Sequence, residues 1–113
     1  MKKLRLSPED QAWLDSYRSA IVTRFGPLVS SIIVFGSKAR GDSTADSDLD
    51  LLLVIEEGDW RVKSELADVA YELAIGTDVV PSVKIYTRAE WERLRESESP
   101  FREAITREGR LVA

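Results

Sequence analysis

The 113-residue sequence contains no cysteine and no histidine. The first absence excludes disulfides, thiolate metal sites and cysteine nucleophiles, and the second excludes every mechanism that relies on imidazole. Serine-protease triads, histidine-ligated zinc hydrolases and haem sites therefore drop out together. Long apolar runs are missing too. The longest, Leu51 to Ile55, falls far short of the roughly 20 residues that cross a bilayer, and Met1-Lys2-Lys3-Leu4 leads into charge rather than a signal-peptide core. These features predict a soluble, cytoplasmic protein with no membrane association. With 16 Lys and Arg against 20 Asp and Glu, the formal net charge is −4. That balance gives no strong nucleic-acid signal, yet it leaves room for a local basic pocket that takes one nucleotide. One compact domain over residues 1–113 is expected, burying roughly two thirds of the unfolded chain's surface.

Ser7-Pro8-Glu9-Asp10 reads as a helix start: a hydroxyl cap, proline in the first turn, and acids at the positive end of the dipole. Trp13, Tyr17, Ile21 and Phe25 recur at every fourth position with Leu14 beside them, and Gly26-Pro27 ends the pattern. Aromatic residues at this spacing favour core packing over a partner groove. Leu28 to Phe35 predicts a strand closed by Gly36. Leu49 to Ile55 predicts a second, apolar on both faces beyond Asp50 and therefore central in its sheet. Gly58-Asp59 precedes a helix with Val62, Leu66, Val69, Ala70 and Leu73 on one face and solvated charges on the other. Val79 to Tyr86 predicts a third strand, in which Pro81 calls for an edge or strand-start position; its pairing partner is left open. Thr87-Arg88-Ala89-Glu90 has capping-box spacing, and Ser99-Pro100 opens a last helix through Phe101, Ala104 and Ile105 to Gly109. Arg110 to Val112 suits an added edge strand. This order predicts an α+β (α/β) domain, a small mixed sheet flanked by helices.

The chemistry lies in the polar stretch from Gly36 to Ser47 and the residues just after it. Strand alternation puts Asp48 and Asp50 on one face with Cα atoms about 6.5 Å apart, near enough for both carboxylates to reach one divalent cation. Alone, Asp-x-Asp is more often a pair of solvated acids; the segment upstream shifts the balance. There a strand ends at Gly36-Ser37 and turns into a short helix through Lys38-Ala39-Arg40. Such a turn offers backbone N–H groups to an anion. Gly36 permits close approach, Ser37 adds a hydroxyl donor, and Arg40 can reach a phosphate. Taken singly, Gly36 is a tight turn, Ser37 a helix cap, and Lys38 and Arg40 solvated surface. A phosphate cradle beside a carboxylate pair points instead to metal-dependent chemistry on a nucleoside triphosphate. Mg²⁺ fits, since it takes one or two carboxylates and completes its shell with water and phosphate oxygens.

Three rival motifs fail on the same letters. Gly36 to Gly41 has the glycine spacing of a P-loop, but Asp42-Ser43 stands where Lys-Ser/Thr is required. Asp46, Asp48, Asp50 and Glu57 copy EF-hand positions, but Leu51 replaces the obligatory glycine. Arg40-Gly41-Asp42 spells an adhesion tripeptide in a chain without a secretion signal, a coincidence.

Gly36-Ser37-Lys38-Ala39-Arg40-Gly41, a short polar loop, and then Ser47-Asp48-Leu49-Asp50-Leu51-Leu52 together resemble the signature of the minimal nucleotidyltransferases, within the DNA polymerase β-like superfamily. Phe101-x-x-x-Ile105-x-x-Glu108-Gly109 is similar to the C-terminal ending of some members. The resemblance implies a nucleotidyltransferase-like fold, catalytic Mg²⁺ on Asp48 and Asp50, and triphosphate binding at Gly36-Ser37. The implied reaction transfers a nucleoside monophosphate, AMP from ATP or the equivalent from another NTP, to a hydroxyl of a partner macromolecule. Stand-alone members of this size resemble the antitoxin half of pairs with HEPN-domain ribonuclease toxins, which some of them adenylylate on tyrosine. The elements leave no residues for a separate acceptor domain, which also puts the acceptor on a partner. Active members carry a third carboxylate on a later strand, and the corresponding stretch, Val83 to Thr87, offers Lys84 instead. A lysine there repels a second metal, or else pairs with an acid or extends to water. Asp78 is the nearest substitute acid. Lys84 is the feature that favours the alternative reading, a degenerate binding module or antitoxin that neutralises its partner by complex formation. A nucleotide sensor is the third reading. Base, acceptor and self-association are left open.

Overall fold

A computed structural model describes residues 6–42 and 47–112. The first helix, α1 (Pro8–Phe25), starts where the Ser7 hydroxyl accepts the Asp10 N–H at 3.1 Å. A single 3-10 turn, Gly26–Leu28, leads into β1 (Val29–Phe35), so the strand begins one residue later than its composition suggests. A five-residue helix, α2 (Gly36–Arg40), follows directly, and then β2 (Leu49–Ile55). The Asp59 carboxylate caps α3 (Trp60–Ala74). Pro81 begins β3 (Pro81–Thr87); Val79 stays outside it, its N–H donated to the Thr77 hydroxyl at 3.1 Å. The capping box at Thr87 and Glu90 is complete and opens α4 (Arg88–Glu96), Ser99 caps α5 (Pro100–Glu108), and β4 (Arg110–Leu111) closes the order.

The four strands form one mixed sheet in the order β3-β2-β1-β4. β1 runs antiparallel to both β2 and β4, while β2 and β3 are parallel. The central place of β2, the edge place of β3 and the added C-terminal strand all agree with the sequence pattern. β2 is covered on both sides because its two faces feed separate cores. Leu49, Leu51, Leu53 and Ile55 pack with Trp13, Leu14, Tyr17 and Ile21 of α1 and with Leu66, Val69 and Ala70 of α3. The Tyr17 hydroxyl donates to the Leu66 carbonyl at 2.7 Å, fixing α1 against α3, and burial pushes that phenol's pKa well above its ordinary value. On the opposite face, Leu52 and Val54 meet Ile105 together with Ile33, Phe35, Tyr86, Trp91 and Phe101. Phe101 stands edge-on to Phe35 with centroids 6.0 Å apart, a favourable aromatic geometry. Side chains two apart share a strand face, so Asp50 continues the Leu52–Val54 face toward the end where burial falls away. Among the described residues no helix is long and apolar enough to cross a membrane.

Candidate functional site

The site forms where β1 ends and β2 begins. Antiparallel pairing sets Phe35 opposite Asp50, so the next residue, Gly36, turns across the Asp50 side chain. Gly36 has φ +74°, and a Cβ built on it would lie 2.2 Å from Asp50 Oδ2. Only glycine satisfies both the backbone angle and the contact. The glycine turn and Asp50, separate motifs in the sequence, are thus one packed unit. No side chain caps α2, whose N-cap residue is Phe35; Ser37 lies within its first turn and is not the cap. Gly41, at φ +85°, ends the helix with its N–H donated to the Ser37 carbonyl at 2.9 Å.

Asp48 is exposed and Asp50 is half-buried. The Asp50 carboxyl is held above the ordinary carboxylate range, chiefly by burial and then by the charge of Asp48. Opposing these are Lys84, a hydrogen bond from the Ser82 hydroxyl, and Arg40. The parallel register explains the first two, since Asp50 pairs with Ser82 and Leu52 with Lys84. Ser82 and Lys84 therefore share the face that carries Asp50. Ser82 has no signature in the sequence; only knowledge of the β2–β3 register would have singled it out.

Arg40 is exposed, with Nε 3.2 Å from Asp42 Oδ2 and Nη1 3.4 Å from Glu108 Oε2. Exposed pairs of this kind are weak and screened by solvent, so the guanidinium can exchange them for a phosphate at little cost. Lys38 is different. Its ammonium is ion-paired with Asp10, the two side chains only 12% and 7% exposed, and the pair ties α2 to α1. The solvated-surface reading of Lys38 is thus corrected: the side chain points into the fold. Asp78 donates its backbone N–H to Glu9 Oε1 at 2.9 Å, and among the described residues no group of three acids is placed to share a metal. Asp46 lies outside the described residues.

The arrangement sets a partly desolvated Asp50, on which the charge of Asp48 bears, against a glycine turn whose helix start has no side-chain cap and beside an exposed arginine. Two such acids repel, and a divalent cation between them relieves both the repulsion and the desolvation cost. The donor set therefore fits a hard, oxygen-seeking cation.

Known proteins share this architecture. The chain is 28% identical over 76 residues to "Putative protein adenylyltransferase MJ0141" of Methanocaldococcus jannaschii, a match covering 66% of this chain and 77% of that protein. Among solved structures, a mutant of the toxin–antitoxin complex MntA–HpeT superimposes with a TM-score of 0.56 at 19% identity, covering 88% of this chain and 71% of that one. A toxin–antitoxin structure with AMP-PNP gives the same TM-score and identity over 86% of this chain and 70% of that one. At these identities the structures show a common fold. Residues 14–112 match the nucleotidyltransferase domain family, a span that includes all four strands, the Gly36 turn and both carboxylates, and the chain belongs to that family.

Proposed function

We propose that the chain, acting as a single domain, transfers AMP from ATP to a hydroxyl of a partner macromolecule, with Mg²⁺ held by Asp48 and Asp50. The observation that carries the reading is the closeness of the Gly36 turn to the Asp50 carboxylate, which leaves no room for a Cβ; it supports a triphosphate on the turn beside a cation on the acids. When bound, the cation supplies charge neutralisation at the phosphates and at the developing negative charge of transfer. The chain's own residues supply the rest. Gly36 and Ser37 receive the triphosphate through backbone N–H groups and the Ser37 hydroxyl. Arg40 leaves its exposed carboxylate partners to neutralise phosphate oxygens. Ser82 holds the Asp50 carboxylate in place through its hydroxyl. In the reaction, the acceptor oxygen bonds to the α-phosphorus and releases its proton to solvent, the bond from that phosphorus to the bridging oxygen breaks, and pyrophosphate leaves.

A protein acceptor is supported by the name of the Methanocaldococcus relative, and a toxin partner by the toxin–antitoxin assemblies that share the fold. A HEPN-domain toxin is the partner that the sequence resemblance implies. Lys84 supports a second reading, in which the same fold neutralises its partner by complex formation without transfer. Incubation with Mg²⁺, α-labelled ATP and co-purifying proteins, read by intact mass, separates the two. Nucleotidyl transfer adds one AMP to the partner, and Asp48→Ala abolishes the addition while leaving the circular dichroism spectrum unchanged. A stable complex with no label on any protein refutes transfer and leaves the binding reading.

A further inference from the structure

Three cationic side chains stand on the elements that build the site, and their commitments differ. Lys38 is spent on Asp10 inside the fold. Arg40 is shared between Asp42 and Glu108. Lys84 is exposed and, among the described residues, forms no ion pair, yet its charge bears on Asp50. The β2–β3 register places it one step along from Ser82, on the Asp50 face. The face thus presents the Asp50 carboxylate, one hydroxyl and one ammonium, with the charge of Asp48 bearing on Asp50.

Two carboxylates suffice for one divalent cation, which fills its remaining positions with water and phosphate oxygens. A second cation, roughly 4 Å from the first in two-metal sites, would need further anionic ligands. Here the neighbouring position on the sheet carries a positive charge instead. An ammonium repels a second cation, and it is itself a point-charge donor for phosphate oxygens.

We propose that this site binds one divalent cation with its nucleotide, and that the Lys84 ammonium stands in for a second, acting as a positioning residue on the triphosphate. The inference rests on the nucleotidyl-transfer reading, and its test separates the two. With the full chain in excess over α,β-methylene-ATP, Mn²⁺ is titrated and the free ion followed by electron paramagnetic resonance. The natural chain retains one Mn²⁺ per bound analogue. Lys84→Asp, which adds a third carboxylate on the same face, retains two. Lys84→Met retains one and binds the analogue on the order of tenfold more weakly, the loss expected for one charge-assisted contact. Two Mn²⁺ in the natural chain, one in Lys84→Asp, or unchanged analogue affinity in Lys84→Met would each overturn the inference while sparing the transfer reading. No Mn²⁺-dependent analogue binding, or binding undiminished by Asp48→Ala, refutes the transfer reading and the inference with it. Lys84 is exposed, so these variants keep the fold, which circular dichroism checks.

Discussion

Replacing Gly36 by alanine strains the chain in two separable ways. At φ +74° an L-residue carries a backbone penalty of about 1–2 kcal/mol. The added Cβ also lands 2.2 Å from Asp50 Oδ2, where ordinary contact begins at 3.4 Å, so the carboxylate must retreat by 3.4 − 2.2 = 1.2 Å. Forcing extra volume into a packed site adds about 1–3 kcal/mol. Gly36→Ala is therefore expected to cost about 2–5 kcal/mol in the natural background. In Asp50→Ala the offending oxygen is gone, and what remains is the backbone penalty alone, about 1–2 kcal/mol. The two substitutions should then couple by about 1–3 kcal/mol in a thermal or urea double-mutant cycle. Additivity within about 0.5 kcal/mol would refute the claim that the turn is built against Asp50. Transfer should fall by about a hundredfold or more in Gly36→Ala, because a displacement of about 1 Å in a positioning group costs that much.

Two further expectations concern how the site is held. Lys38→Met leaves Asp10 buried without its partner and should destabilise the fold by about 3 kcal/mol, with most of the loss recovered in Lys38→Met/Asp10→Leu; equal loss in both would show that the pair does not act as a unit. Glu90 accepts from Lys63 at 2.6 Å and from the Thr87 N–H at 2.8 Å, and these bonds, in that order, lower its carboxyl to about 2. Because the folded value lies below the unfolded one, this stabilisation is complete above the ordinary glutamate range and is lost as pH falls from about 5 toward 2. Glu90→Gln should flatten urea-midpoint stability over that window, and an unchanged acid limb would contradict the assignment.

Much of the fold is legible in the sequence because the signals are local. Ser7, Thr87 and Ser99 each cap a helix through a backbone N–H three residues on, so the residues that decide the start lie together in the chain. β2 reads as central because its apolar residues fall on both faces, and the core confirms it with a separate cluster on each side. Pro81, which has no N–H for a ladder, begins the edge strand as its chemistry requires. Lys38 taken singly reads as surface because nothing near it in sequence reveals Asp10, 28 residues away.

The sequence by itself determined the element order, the place of Asp50 at the start of β2, and the glycine-bounded turn, since strand alternation and helix capping act over two to four residues. Only the tertiary structure decided that the turn lies on the Asp50 carboxylate, that Ser82 and Lys84 join the same face, and that Lys38 turns inward. Each of these follows from strand register or helix docking, which long-range packing fixes and no local pattern encodes.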